Sequence, residues 1–401
     1  MADKTTVISE DDTTLPKSKV ELQPILDTIF QSISSDTSDP IADVATLKMI
    51  THCEPLSGGL SNQNFHLKTP TSDFVLRINT PTSDSLCSRE RELFYWQHLA
   101  EAGLAPTLHY VSDDRRLYLS DFIKSEPLLC QGLETELYKI DLLKTDSIAQ
   151  KPLELADTGS SSLSWQCLET QCSAAGFTQS RFALSRSHQS PCSQNSDIGF
   201  PNQAHVLLLS LLQALQIQPK GDYHISLTEQ WQAYHQQLTA LVEKVENRTN
   251  AIWQARVDAL LAKHDDFAAS LKAIEACQLS PQFCHRDLNP HNLLLKDNRL
   301  YCIDFEYAIA SHPLCDIAAV LATHNLTPSQ QAYLSQHYLD SHPHLSADAQ
   351  RLLPAAIEMY WVFACYWALL MAARSEQGKQ MEYLNWFDSF FACITSNQKL
   401  G

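Results

Sequence analysis

The sequence predicts an α+β fold with two lobes, a small β-rich N-terminal lobe and a large, mostly helical C-terminal lobe. Strand-like segments dominate residues 54–122, and helical patterns dominate from Val206 onward. A short strand–loop–strand region at 282–309 interrupts the helices. With 401 residues, the chain is long enough for two domains that each bury a core.

The composition divides the chain into four segments. Residues 1–40 are polar and acidic, and they predict a partly disordered lead, whereas residues 41–129 form the β-rich lobe. Residues 130–204 are rich in Ser, Gln, Thr and Cys without a helical period, which favours a mobile insertion over an ordinary ordered one. Residues 205–401 form the helical lobe, which contains the predicted catalytic loops and substrate site.

The N-terminal lobe contains predicted strands on either side of one well-defined helix. That helix covers residues 89–102, with Gly103 as its stop signal and Pro106 just beyond. The other predicted elements are a short helix at 41–53 and strands at 65–67, 74–78 and 117–123.

The C-terminal lobe is predicted to consist mainly of long helices. Its longest apolar stretch, 355–373, is broken by Glu358, and the uninterrupted part is shorter than the roughly 20 residues that a bilayer span needs. We therefore interpret it as a buried core helix, and we expect no membrane span. The predicted helices are 206–216, 227–247, 249–277, 328–339, 346–374 and 380–394.

The charge balance limits the classes of partner. Lys and Arg number 29 and Asp and Glu number 46, which gives a formal net charge of −17. Such a surface repels phosphate backbones and anionic lipids, so nucleic-acid binding is disfavoured, whereas a cationic small molecule suits it. The N-terminal residues lack the pattern of a signal peptide, and the 12 cysteines form no paired CxxC motifs. We expect reduced thiols and a cytoplasmic location.

The strongest motif begins at His285, where His285-Arg286-Asp287 is followed by Asn292 in the pattern H-R-D-L-x-x-x-N. Asp304 comes 12 residues after Asn292, inside an apolar strand-like segment. Phosphoryl transfer needs a carboxylate near the attacking hydroxyl, and Asp287 can accept its proton. Asn292 and Asp304 supply the hard oxygen ligands that Mg²⁺ prefers. His285 or Arg286 is expected to support the loop rather than react.

A Gly- and Ser-rich turn upstream is a candidate loop over the nucleotide phosphates. Two glycines permit close approach of the backbone, and the neighbouring hydroxyl and amide groups can bind phosphate oxygens. No Walker A sequence follows, and an ordinary hairpin turn is the alternative. The candidate ATP-binding residues of this turn are Ser57, Gly58, Gly59, Ser61, Asn62 and Asn64.

Arg77 alternates with apolar residues on a predicted strand, where its guanidinium can face the α- and β-phosphates of ATP. Glu92 on the following helix is its expected partner. The alternative is an unrelated pair of surface charges.

Three stretches resemble the choline/ethanolamine kinase family, within the aminoglycoside phosphotransferase-like group of the protein-kinase-like superfamily. They are LSGGLSNQNF, the pair HRDLNPHN and IDFEYA, and the late helix YWVFACYWALLMAARSEQGKQMEYLNWF. The resemblance covers roughly 50–125 and 205–395, and bacterial thiamine kinases are similar. It implies a bilobal protein-kinase-like fold, ATP as phosphoryl donor, Asp287 as catalytic base, and Mg²⁺ held by Asn292 and Asp304.

The late helix bears on the substrate. Choline kinases carry two tryptophans three residues apart there, followed by tyrosines, as a cage for a quaternary ammonium. Trp367 matches the second tryptophan and Tyr383 a later tyrosine, while Ala364 replaces the first tryptophan. Together with Glu306 and Tyr307, beside the metal site, they are the candidate substrate-binding residues. A core stripe of aromatic side chains is the alternative for this face.

These features predict an ATP- and Mg²⁺-dependent phosphotransferase that acts on the hydroxyl of a small, cationic metabolite such as choline or ethanolamine. A thiamine or aminoglycoside kinase is the alternative within the class. A catalytically inactive, kinase-like nucleotide-binding module is the alternative from another class. The sequence leaves the oligomeric state open.

Overall fold

The computed structural model describes residues 19–35, 49–56, 62–80, 88–126, 204–244, 250–375 and 377–397. The chain divides into two compact units, residues 1–128 with 203–401 and residues 129–202. All described residues belong to the first unit. Apart from Ala204, the predicted insertion at 130–204 lies outside the described residues, and its mobility stays a prediction.

The N-terminal lobe is built on a five-stranded antiparallel sheet in the order β1-β2-β3-β5-β4. The predicted strands correspond to β2, β3 and β5, and the α+β class is confirmed. The helix predicted at 41–53 is wrong at its end, because His52 and Cys53 lie in β1, and 41–48 is outside the described residues. The strands are β1 (His52–Leu56), β2 (Asn62–Lys68), β3 (Asp73–Asn79), β4 (Leu108–Val111) and β5 (Leu117–Asp121).

One face of this sheet is apolar because the side chains alternate along each strand. Phe65 pairs with Leu76, which pairs in turn with Leu119, and all three are buried. Helix α1 (Lys19–Ser35) covers this face. The sequence analysis did not predict α1, because the polar composition of residues 1–40 as a whole indicated a partly disordered lead. Leu22, Leu26 and Ile29 nevertheless recur at helical spacing, and packing on the sheet stabilises the helix despite Pro24. Its core side chains are Leu22, Leu26 and Ile29.

Helix α2 (Arg89–Glu101) matches the predicted helix and has defined caps at both ends. The side chain of Ser88 accepts a hydrogen bond from the backbone N–H of Arg91. At the other end, Gly103 has a φ of 65°, and the N–H of Leu104 donates to the carbonyl of Leu99 at 2.7 Å. This Schellman-type ending requires a left-handed residue, which glycine provides without strain.

The C-terminal lobe packs around one long helix, α9. By length and composition α9 could cross a membrane, but half of its most apolar window is buried, and it packs against α4, α6, α7 and α10. This packing favours a core helix. The helix predicted at 249–277 is two helices, α5 and α6. The described helices are α3 (Ala204–Gln216), α4 (Leu227–Val242), α5 (Ala251–Leu261), α6 (His264–Glu275), α7 (Leu314–Thr323), α8 (Pro328–Leu339), α9 (Ala349–Arg374) and α10 (Gln377–Asn397).

Two small antiparallel strand pairs position the loops at 285–308. Strand β6 (Gln282–Cys284) pairs with β9 (Ile309–Ser311), and β7 (Leu293–Lys296) pairs with β8 (Arg299–Cys302). Asp297 and Asn298 join β7 to β8 with φ values of 51° and 58°, as a two-residue hairpin turn of the I′ type requires. The nested pairs bring the segment after β6 and the segment after β8 side by side.

We predict that Leu26→Ala destabilises the N-terminal lobe. Leu26 is 4% exposed in the core under the sheet, so its loss leaves a cavity that costs about 2–5 kcal/mol. Chemical denaturation measures the change. Gln31→Ala, at an exposed position of the same helix, is the matched control, and equal stability of the two variants would show that α1 does not seal this core.

Candidate functional site

The loop that follows β6 is anchored by a buried carboxylate. Asp316, in the first turn of α7, accepts the backbone N–H groups of His285 at 2.9 Å and of Arg286 at 2.7 Å. Asp316 is 1% exposed, and burial raises its pKa to about 6. Arg286 has a φ of 69°, and the two hydrogen bonds stabilise this left-handed backbone. The direction of the next side chain, Asp287, depends on this anchor.

His285 joins the two loops of the site. Its Nε2 donates to the carbonyl of Ile303 at 3.1 Å, and its Nδ1 accepts the backbone N–H of Asp287 at 3.3 Å. The ring is fully buried, and burial lowers its pKa to about 4. A neutral imidazole with both nitrogens in use supports the loop and is a poor candidate for a proton-transfer group.

Asp287 is held by two amide side chains. Asn289 Nδ2 donates to its Oδ1 at 2.9 Å, and Asn292 Nδ2 donates to its Oδ2 at 2.7 Å. Burial raises the pKa of Asp287 to about 6, and the charge of Asp304 adds to the effect. The carboxylate is therefore ionised at neutral pH, with a pKa closer to that of a general base than an exposed aspartate has.

Asn292 and Asp304 lie on neighbouring segments of the β7–β8 hairpin. The N–H of Ile303 donates to the carbonyl of Asn292 at 3.0 Å, which places Asp304 one residue further along. Since Asn292 Nδ2 donates to Asp287, its amide oxygen is the atom left for a cation. Asp304 Oδ1 is buried and accepts no hydrogen bond from the described residues.

The amide oxygen of Asn292 and the carboxylate of Asp304 are hard oxygen donors of the kind that Mg²⁺ prefers. The part of the chain that the structure describes has no cluster of three His, Cys, Asp or Glu side chains with metal-site geometry. A magnesium ion here would depend on phosphate oxygens and water for its other ligands, as Mg²⁺ at phosphoryl-transfer sites commonly does.

A buried charge network on β3 and α2 extends toward Asp304. Arg77 Nη2 lies 2.9 Å from Glu92 Oε1, and Arg89 Nη1 donates to Glu92 Oε2 at 2.7 Å. Arg77 Nη1 lies 3.9 Å from Asp304 Oδ1. Arg89 also donates to Asn62 Oδ1 at 3.2 Å. Glu92, fully buried between two cations, thus orients Arg77 toward the predicted metal ligand.

The predicted phosphate-covering turn is only partly described. Ser57, Gly58, Gly59 and Ser61 lie outside the described residues. Asn62 and Asn64 belong to β2, where Asn64 pairs in register with Arg77. Of the candidate residues of this turn, Asn64 therefore lies next to Arg77.

Acidic and phenolic groups interact electrostatically with Asp287 and Asp304. Burial raises the pKa of Glu306 to about 8, and the charge of Asp304 adds to it. Burial also raises the pKa of Tyr307 well above its usual value, and Tyr307 interacts with the charges of Asp287 and Asp304. Tyr234 of α4 interacts with the charges of Asp287 and Glu306. Tyr234 and Tyr307 therefore lie close to the predicted base.

Trp367 and Tyr383 meet between α9 and α10. Their ring centroids are 5.7 Å apart in a T-shaped contact, and Trp386 stacks on Trp367 at 5.9 Å. We call Trp367, Tyr383 and Trp386 the aromatic cluster. Phe363 lies one helical turn before Trp367. Its ring contacts the ring of Tyr234, with 6.1 Å between the two ring centroids. This contact is the described link between the helix of the aromatic cluster and the surroundings of Asp287.

Four residues of this region were not found from the sequence: Asp316, Tyr234, Arg89 and Trp386. Asp316 carried a usable signal, because a carboxylate in an otherwise apolar helix, 314–320, needs a buried partner. Tyr234 carried none, since its helix shows only an ordinary amphipathic pattern.

Comparisons with known proteins bear on the family of this chain. A sequence model of the phosphotransferase enzyme family matches residues 52–134 and 202–350. Protein LicA of Haemophilus influenzae is 26% identical over 289 residues, covering 72% of this chain. The chain spans 63% of the length of that relative.

Solved structures share the fold at low sequence identity. Choline kinase LicA from Streptococcus pneumoniae has a TM-score of 0.55 and 15% identity, and the match covers 93% of this chain and 99% of that one. Plasmodium vivax ethanolamine kinase has a TM-score of 0.53 and 13% identity, with 96% and 90% covered. Because the family match spans more than half of the chain and includes Asp287, Asn292 and Asp304, this chain belongs to the phosphotransferase enzyme family.

Proposed function

We propose that this chain transfers the γ-phosphoryl group of ATP to the hydroxyl of a small, cationic alcohol of the choline or ethanolamine type. The observation that carries the proposal is the state of Asp287, a partly buried carboxylate with a pKa of about 6 that two amides hold beside Asp304. Family membership supports the reaction class, and the similarity to LicA supports the type of acceptor.

Asp287 acts as the base in this proposal. The acceptor hydroxyl gives its proton to the Asp287 carboxylate while its oxygen forms the new bond to phosphorus, and ADP leaves. Asn289 and Asn292 keep both carboxylate oxygens in place, so little reorganisation is needed at the moment of transfer. Asp316 maintains the loop backbone and touches no reacting atom.

The donor side is held by the Arg77 network and by oxygen ligands. Arg77, oriented by Glu92, binds phosphate oxygens, and the residues of the turn at 57–64 cover them. Asn292 and Asp304 would hold Mg²⁺, which would neutralise charge on the phosphates. The unsatisfied Asp304 Oδ1 supports this assignment, because a buried acceptor without a hydrogen bond is costly unless a cation completes it.

The acceptor side suits a cation. The Asp287 carboxylate supplies negative charge beside the hydroxyl, and Tyr234 and Tyr307 interact with it. Aromatic faces attract ammonium groups by about 0.5–2 kcal/mol each. Trp367 extends the aromatic lining along α9. The net charge of −17 favours the approach of a cationic substrate.

Thiamine, which also carries a cationic ring and a primary hydroxyl, is the second candidate substrate, and aminoglycosides are the third. Ala364, where choline kinases carry the first tryptophan of the pair, keeps these candidates open. A nucleotide-binding module without turnover is the alternative outside the class.

We also propose a cytoplasmic location. Each cysteine within the described residues is free, which suits a reducing compartment.

The proposal predicts that choline or ethanolamine stimulates release of ADP from ATP, with phosphorylated alcohol as product. A panel of choline, ethanolamine, thiamine and aminoglycosides, read by coupled ADP detection and mass spectrometry of the products, tests it. Omission of Mg²⁺ is the control. Nucleotide binding without turnover of any alcohol would favour the module instead.

Asp287→Asn is expected to lower kcat by about 10²–10⁴-fold, because the amide cannot accept the proton, while nucleotide binding persists. Steady-state kinetics and calorimetric titration with ATP measure the two effects. Asp297→Asn, at an exposed position of the adjacent hairpin turn, is the matched control and should leave both unchanged. A near-normal rate for Asp287→Asn contradicts its role as base.

In the unmodified chain, kcat/KM for the alcohol should fall as the pH drops below about 6, where Asp287 takes up a proton.

Trp367→Ala is expected to raise KM for the cationic alcohol about tenfold while KM for ATP stays unchanged, because one ring that faces the ammonium is lost. Trp361→Ala is the matched control. Trp361 lies on the same helix and stacks on Phe390 of α10 at 5.5 Å, outside the aromatic cluster. Equal increases in both KM values for Trp367→Ala would mean that Trp367 serves only the core.

A further inference from the structure

Two cysteines flank the anchor of the catalytic loop. Cys284 is the last residue of β6 and directly precedes His285, whereas Cys315 directly precedes Asp316 in the first turn of α7. Because Asp316 accepts the N–H groups of His285 and Arg286, the two cysteines are brought together by the same contact that fixes the loop.

The two thiols interact electrostatically with each other. Two hydrogen bonds bring Cys284 Sγ and the backbone of Cys315 to the same carbonyl group. Cys284 Sγ lies 3.4 Å from the carbonyl oxygen of His312, and that oxygen accepts the backbone N–H of Cys315 at 2.9 Å. The pair therefore converges on one carbonyl group between β6 and α7.

The two thiols differ in exposure and acidity. Cys284 is fully buried, and burial raises its pKa, whereas Cys315 is partly exposed. The Cys284 thiol lowers the pKa of Cys315 and the charge of Arg286 lowers it further, while burial acts in the opposite direction. A partly exposed cysteine with a lowered thiol pKa, next to a second thiol, is an arrangement that favours selective oxidation.

We propose that Cys315 and Cys284 form a modification site for peroxides that links them as a disulfide. The Cys315 thiolate attacks one oxygen of hydrogen peroxide, the O–O bond breaks, and a sulfenic acid and water form. The thiol of Cys284 then attacks the sulfenic sulfur, the S–S bond forms, and a second water leaves. In sum, two thiols are oxidised and one peroxide is reduced to two waters.

The disulfide changes the catalytic loop. An S–S bond is about 2.05 Å long, much shorter than the separation of two sulfur atoms that are not bonded, so it draws β6 toward α7. These segments carry the two hydrogen bonds from His285 and Arg286 to Asp316, and their geometry shifts with the contraction. Loss of turnover on oxidation follows, and this consequence rests on the proposed kinase function.

Peptide mapping of the full chain tests the site itself. The reduced chain is treated with hydrogen peroxide, alkylated, digested and analysed by mass spectrometry. We expect a cross-linked peptide pair that contains Cys284 and Cys315, with a loss of 2 Da. Mapping is needed because the chain has 12 cysteines. Peroxide treatment that leaves Cys284 and Cys315 unlinked, or links either one to another cysteine, overturns the proposal.

Variants separate this pair from other thiols. Cys315→Ser keeps a hydroxyl at a partly exposed position and should abolish the cross-link, and Cys284→Ser should do the same. Cys393→Ser removes another partly exposed helical cysteine and should leave the cross-link intact. If Cys284 and Cys315 no longer cross-link in the Cys393→Ser variant, formation of the disulfide depends on a different thiol and the proposal fails.

Turnover measures the consequence for the loop. Oxidation should lower kcat at least tenfold with a smaller change in KM for ATP, dithiothreitol should restore it, and Cys315→Ser should be resistant. A mapped disulfide with unchanged kcat would overturn the coupling to the loop. If the reduced chain phosphorylates no alcohol, the proposed function fails, and the mapping still decides whether the dithiol exists.

Discussion

The hydrogen bonds that Asp316 accepts from the catalytic loop are the contact on which the site depends. A carboxylate that is 1% exposed is costly to bury, as its raised pKa shows, and two backbone N–H groups offset part of that cost. The same hydrogen bonds hold the left-handed backbone of Arg286, which directly precedes Asp287. Removal of the carboxylate would leave two buried N–H donors unsatisfied, at about 1–3 kcal/mol each. The loop therefore has one well-defined conformation because the helix behind it carries a charge.

A second buried carboxylate, Glu92, organises the nucleotide side in the same way. It lies between Arg77 and Arg89, so its charge is paired on both oxygens. The pairing directs one guanidinium toward Asp304, whose Oδ1 lies 3.9 Å from Arg77 Nη1. That distance is longer than a hydrogen bond, so Asp304 Oδ1 stays without a hydrogen bond from the described residues. Asp316 and Glu92 are thus both helix-borne carboxylates that orient a residue of the proposed phosphoryl-transfer site.

Local sequence signals predicted most of the fold, and tertiary contacts decided the rest. Helix α8 was predicted to its ends because Thr327 and Pro328 mark its start. The break between α5 and α6 was missed because residues 262–263 carry neither glycine nor proline. The residues of the candidate site divide in the same way. Asp287, Asn292 and Asp304 lie in two neighbouring motifs that the sequence shows directly, whereas Tyr234 comes from a distant helix. A residue whose role comes only from packing leaves no local pattern to find.

The order of aromatic groups along α9 bears on the size of the acceptor. Tyr234 interacts with Asp287 and contacts Phe363, and Trp367 lies one helical turn, about 6 Å, beyond Phe363. In the proposed function, an alcohol whose cation is separated from its hydroxyl by two carbons would place that cation nearest Tyr234 and Phe363, and a larger molecule with a more distant positive ring would reach the level of Trp367. On that proposal, the two aromatic levels would discriminate acceptors by the distance between hydroxyl and charge, which is the property that separates choline from thiamine.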